Sequence, residues 1–126
     1  MTAQALIRKL ETGLTPLGHF RARAMFGGHG LYLDDLMFGL IFEDRLYLKA
    51  DDESRPMFER AKSEPFVYDS GKGRIITTSY WLCPQAALTE AAKLRAWVGR
   101  AHAAARRVKA KKPPRKPRPR PKRAKA

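Results

Sequence analysis

The chain has 126 residues, a single cysteine and a formal charge of +14. That length suits one domain rather than two, and allows roughly two thirds of the unfolded surface to be buried. A lone Cys83 excludes an intramolecular disulfide and a paired-cysteine zinc site, and no apolar run is long enough for a signal peptide or a membrane span, so a cytoplasmic protein is expected.

The first element is a helix over residues 2–12. Thr2 is placed to cap it, and Leu6, Ile7, Leu10 and Leu14 recur at helical spacing. Gly13 and Pro16 bring it to a stop, because the residue ahead of a proline avoids the helical region.

Three β-type runs follow, with Ala24-Met25-Phe26 and Gly27-Gly28-His29-Gly30 leading into the first of them, Leu31-Tyr32-Leu33. The other two are Leu36–Phe42 and Leu46–Lys49. Asp34-Asp35 and Glu43-Asp44 separate the three, so the pattern reads as an antiparallel meander. Neither link contains the glycine that a tight hairpin favours, which leaves the turn type open.

Asp51-Asp52-Glu53-Ser54 resembles a helix start, with acids against the positive end of the dipole and Met57, Phe58 and Ala61 as a short apolar face. Phe66-Val67-Tyr68 and Ile75–Leu82 read as a second hairpin. A last helix begins near Thr89 with Leu94, Trp97, Val98, Ala101 and Ala105 as its core stripe, fraying through Arg106 and Arg107. The expected fold class is α+β. Its order is α-β(3)-α-β(2)-α, an antiparallel sheet of about five strands with helices packed on it.

The end of the chain differs in character. Residues 106–126 hold twelve Lys and Arg and no acid; removing them leaves fourteen basic residues against twelve acids, about +2, for the rest. The expected organisation is therefore a globular domain over 1–106 and a Lys/Arg/Pro-rich tail over 107–126. Without large apolar residues the tail cannot offset its ordering entropy, so it is expected to be disordered and extended. Its cations, Lys109, Lys111, Lys112, Arg115, Lys116, Arg118, Arg120, Lys122, Arg123 and Lys125, suit non-specific contact with nucleic-acid phosphates. The competing uses are solubilisation, an acidic protein partner or an anionic membrane surface.

Other candidates have plainer explanations. A phosphate loop needs amides converging on a helix N-terminus, yet a strand-type run follows Gly27-Gly28-His29-Gly30, which favours a bulge or close backbone approach. His19, His29 and His102 lack partners at metal-ligand spacing. Cys83 has no local base and reads as a small buried hydrophobe. Tyr32, Tyr47, Tyr68, Tyr80 and Trp81 lie on strands and suit either base stacking or, more often, core and cross-strand packing. No catalytic residue, cofactor or metal is expected.

The segment Arg23-Ala24-Met25-Phe26-Gly27-Gly28-His29-Gly30-Leu31-Tyr32 resembles the signature of the TfoX N-terminal domain family. Met37–Leu40, Leu46–Lys49 with Asp51, Pro65-Phe66 with Tyr68, Ser79-Tyr80-Trp81 before Pro84, and Leu94 with Trp97 follow in the family's order, covering about residues 5–105. The resemblance implies the same α-β(3)-α-β(2)-α fold and a role, shared with the family's Sxy proteins, in regulating competence genes beside a cyclic-AMP receptor-type activator. Full-length members carry a second, helical domain, where this chain is expected to have the basic arm alone. The resemblance carries no catalytic residues, and makes Met25, Phe26, Gly27, Gly28, Gly30 and Tyr32 an architectural signature. The expectation is a non-enzymatic regulatory or accessory protein, linked to transcription or competence, with nucleic acid bound through the tail and a protein partner on the domain. The alternative is a homodimeric or chaperone-like interaction module with a solubilising tail.

Overall fold

The structure is a computed structural model, and it describes residues 2–111 except Phe26, Ser70 and Lys72. Helix α1 spans Ala3–Leu14, and a short 3-10 turn over Thr15–Leu17 leads out of it. Strands β1 (Phe20–Met25), β2 (Gly28–Leu33), β3 (Leu36–Phe42) and β4 (Arg45–Lys49) follow. After helix α2 (Arg55–Arg60) come β5 (Pro65–Asp69) and β6 (Ile75–Leu82), a 3-10 turn at Gln85–Leu88 and helix α3 (Ala91–Lys111).

All six strands join one antiparallel sheet in the order β1-β2-β3-β4-β6-β5. The α+β class and the helix count agree with the sequence; the sheet gains one strand over the five expected. That strand, β1, is built from Phe20-Arg-Ala-Arg-Ala-Met25, whose alternation of small and charged residues buries little and gives a weak signal.

The helices fix which face is the core. Thr2 Oγ1 accepts from the Ala5 amide (3.1 Å) and starts α1 as expected. Leu6, Leu10 and Leu14 then pack with Leu31, Leu33, Phe38, Ile41, Leu46 and Leu48 of the sheet, with Phe58 of α2 and with Leu94, Val98 and Ala101 of α3 in a single cluster. The buried side chains of all three helices meet one face of the sheet. Residues alternate along a strand, so Tyr32, Leu40, Tyr47 and their neighbours point the other way.

Both open turns resolve to the same geometry. Asp34 and Asp35 have φ of 52° and 66°, and Glu43 and Asp44 have 52° and 61°, as a type I′ hairpin requires. Aspartate tolerates this region better than most residues because its carboxylate can bond locally. Asp34 Oδ1 accepts from the His19 amide (2.9 Å), and Asp44 Oδ1 accepts from the amide of Ala3 (2.8 Å), tying a turn to the start of α1. Asp35 also faces Arg21 across a 3.2 Å ion pair.

Helix α3 does not fray at Arg106 but continues to Lys111, which carries Arg106, Arg107 and Lys109 onto the folded body. Ala101, Ala104 and Ala105 are buried just before that stretch, so packing carries the helix past its large apolar residues.

Candidate functional site

Two features gather chemistry: the cationic end of the chain and the sheet face turned away from the helices. At the first, the basic residues divide into two groups. Arg107 Nε and Nη2 donate to the two carboxylate oxygens of Asp51 at 2.6 and 3.0 Å, and Nη1 lies 3.3 Å from Glu53. Only 7% of the Asp51 side chain is exposed. The Arg107 hydrogen bonds, aided by Ser54 and opposed by burial, hold its carboxyl well below the usual carboxylate range.

Asp51 and Ser54 also bond reciprocally, Ser54 N to Asp51 Oδ1 at 3.0 Å and Asp51 N to Ser54 Oγ at 3.1 Å. The loop before α2 is thereby built to receive the guanidinium. Arg106 donates to His102 Nδ1, which leaves Nε2–H to donate to the Leu33 carbonyl (3.0 Å).

Of the ten cations expected to contact nucleic acid, Lys109 is exposed on α3 and Lys111 is the helix's last residue. Lys112, Arg115, Lys116, Arg118, Arg120, Lys122, Arg123 and Lys125 lie outside the described residues, as does Phe26 of the glycine signature.

The second feature is the uncovered face, the side of the sheet on which no helix packs among the described residues. Strand register sets Arg21 beside Tyr32, Arg23 beside Gly30, Leu40 beside Tyr47, Phe42 beside Arg45 and Lys49 beside Tyr80. Phe66 of β5 lies 5.2 Å from Phe42, 5.0 Å from Tyr47 and 6.0 Å from Tyr68, ring centre to ring centre. Arg21 stands 5.7 Å over the Tyr32 ring, and Lys49 Nζ stands 5.0 Å over that of Tyr80. Burial, and then the charge of nearby Tyr32, raises the Tyr80 hydroxyl above its ordinary pKa.

The sequence grouped Tyr32, Tyr47, Tyr68, Tyr80 and Trp81 together, and the structure separates them. Trp81 points to the helices, 6.0 Å from Phe58, while the four tyrosines lie on the uncovered side. Tyr47 is buried there by its neighbours, whereas Tyr68 is 46% exposed.

Gly28, His29 and Gly30 lie inside β2, so their amides belong to the sheet ladder and face no helix N-terminus, while Gly27 sits in the turn before it with a φ of 76°. A Cβ on Gly28 would land on the backbone carbonyl of Ile41. One on Gly30 would strike the Met25 side-chain tip at 2.6 Å, with the Met37 methyl 3.4 Å away. Two flexible methionines therefore fill the hollow above Gly30 on the uncovered face.

Cys83 is buried against the helices, and burial pushes its thiol up to about 12, far from a nucleophile's range. A cleft of about 310 Å³ reaches Cys83 between α1 and the end of β6, with Asp44, Arg45 and Lys62 among its walls. Among the described residues no three His, Cys, Asp or Glu side chains cluster as metal ligands, and no helix is long and apolar enough to cross a membrane.

Comparison with known proteins matches the same stretch of chain. The family model for the TfoX N-terminal domain covers residues 12–105. The DNA transformation protein TfoX1 of Aliivibrio fischeri is 40% identical over 65 residues, which is 52% of this chain and 31% of that relative. The chain thus spans about a third of the curated relative it matches. With all six strands, α2, the end of α1 and most of α3 inside the matched residues, the chain belongs to the TfoX N-terminal domain family.

Proposed function

We propose that this protein is a non-enzymatic regulator or accessory factor in DNA transformation, acting on competence gene expression in the cytoplasm. In this reading its basic C-terminal residues hold nucleic acid without regard to sequence, while the folded domain engages a protein of the transcription machinery. The supporting observation is the division of charge: about +2 over residues 1–105, and twelve cations without an acid over residues 106–126. Arg107 is engaged by Asp51 and Arg106 by His102, so the cations from Lys109 onward are the ones left for phosphates. The kinship to a DNA transformation protein supports the process.

Duplex binding by the full chain and by a 1–111 truncation, which keeps α3 whole, tests this. If about six cations engage phosphates, log K against log salt has a slope near −5 for the full chain and is much shallower without the tail. Equal affinity for both forms would remove the tail from the function.

A second reading, a homodimeric or chaperone-like module whose tail solubilises it, draws on the two strand edges. The outer edges of β1 and β5 pair with no strand among the described residues, and such an edge accepts a strand from another chain. A monomer at all concentrations that captures no protein partner would sink it.

A further inference from the structure

The uncovered sheet face holds a combination that structural packing does not call for. Its centre is aromatic and apolar, with Tyr32, Met37, Leu40, Phe42, Tyr47, Phe66 and Tyr80 half-buried or buried by one another. Cations border it: Arg21 and Arg23 on β1, Arg45 and Lys49 on β4. The only acid in any of the six strands is Asp69, at the end of β5. Arg21 is shared with Asp35 of a turn, whereas Arg23 and Arg45 make no ion pair among the described residues.

That charge argues about the occupant. Two copies packed face to face would bring four like-charged side chains from each toward the other, which is unfavourable across a desolvated contact. An acidic protein would satisfy the cations and leave the rings to generic burial. A single strand of nucleic acid answers both, because its unpaired bases stack on exposed rings or guanidinium planes while its phosphates meet the cations. A duplex keeps its bases stacked on each other and offers the rings nothing.

We infer that this face is a binding platform for single-stranded DNA, with Tyr32, Phe66, Tyr68 and Tyr80 as stacking surfaces and Arg23 and Arg45 as phosphate contacts. The strands present the face with no Asn, Gln or Glu, and its Thr78 hydroxyl is already used, donating to the Phe66 carbonyl (2.8 Å) and accepting from the Tyr80 amide (3.1 Å). Base edges are therefore left largely unread, so binding is insensitive to sequence. A ribose 2′-hydroxyl pressed onto the apolar centre loses water with little in return, which favours DNA over RNA. The Met25 and Met37 tips above Gly30 are free to shift and let bases of different size settle.

This site is separate from the C-terminal cations, and strandedness tells them apart. Binding of the full-length chain to a thymine oligodeoxynucleotide of about 15 residues, to its uridine counterpart and to a duplex of equal length should be measured for wild type, Arg23→Glu/Arg45→Glu and Tyr68→Ala. The double variant is expected to weaken thymine-oligomer binding about tenfold or more and Tyr68→Ala about fivefold, while duplex binding changes less than about twofold. These side chains are exposed, so circular dichroism should show both variants folded. Loss of duplex binding in parallel would mean the cations act only as general charge and would overturn the platform. So would unchanged thymine-oligomer binding, tighter binding of the uridine oligomer, or a wild-type dimer in light scattering that the same substitutions dissociate. If instead the tail fails to bind duplex but the strand preference persists, the tail assignment falls and the platform stands.

Discussion

Neighbouring residues of β4 show how differently the two faces of the sheet are used. Leu46 and Leu48 project into the helices at 1% and 0% exposure, with Phe38, Phe58 and Leu94 around them. Between and after them, Tyr47 and Lys49 project to the uncovered side, where a ring closes against Phe66 and an ammonium stands over Tyr80. Both faces bury apolar surface, but only one excludes charge. Stability should therefore be concentrated on the helical side, leaving the other face tolerant of change and available for binding.

Five measurements can break or sharpen that contrast. Leu48→Ala removes a fully buried side chain from the covered face and should cost about 3 kcal/mol in urea unfolding; a loss under about 1 kcal/mol would mean the helices do not define the core. Asp51→Asn deprives Arg107 of a charged partner at a nearly closed site and should cost about 2 kcal/mol.

The same carboxylate also sets a pH dependence. Its folded pKa lies below the unfolded value of about 3.9, so its contribution is complete above that pH and fades as pH falls through the folded value. Wild type should lose stability below about pH 4 more steeply than Asp51→Asn, and parallel curves would show that the pair contributes nothing.

Cys83 reports on the covered face by reactivity. With its thiol near 12, about one molecule in ten thousand is thiolate at pH 8, so a thiol reagent should modify it only on unfolding. Labelling of native protein at the rate of a free peptide thiol would reveal an opening there. The smallest effect belongs to the other face: Tyr68→Ala should shift stability by less than about 0.5 kcal/mol, and a larger loss would make that side a second structural core.

Much of the fold was written in short-range pattern. Thr2 and the leucines at 6, 10 and 14 specify α1, and the acidic pairs mark both hairpins even though their turn type needed the φ values. β1 was harder to see because Arg21-Ala22-Arg23-Ala24 carries the period of a strand without the β-branched or aromatic residues that usually mark one. Lysine and arginine counts marked the C-terminal residues as basic, but not the helix beneath their first part. The bond that anchors that helix joins Arg107 to a residue 56 positions earlier, and no local pattern encodes such a distance. The uncovered face was legible only as a group of tyrosines. Separating Trp81 from them and adding Phe42, Phe66 and the border cations required the register between strands.

The clasp between Arg107 and Asp51 also has a geometric meaning. The 21 residues of α3 form a rod of about 30 Å whose far portion is pinned to the corner between β4 and α2. The end of the helix at Lys111, four residues past the clasp, is thereby held at one point on the body.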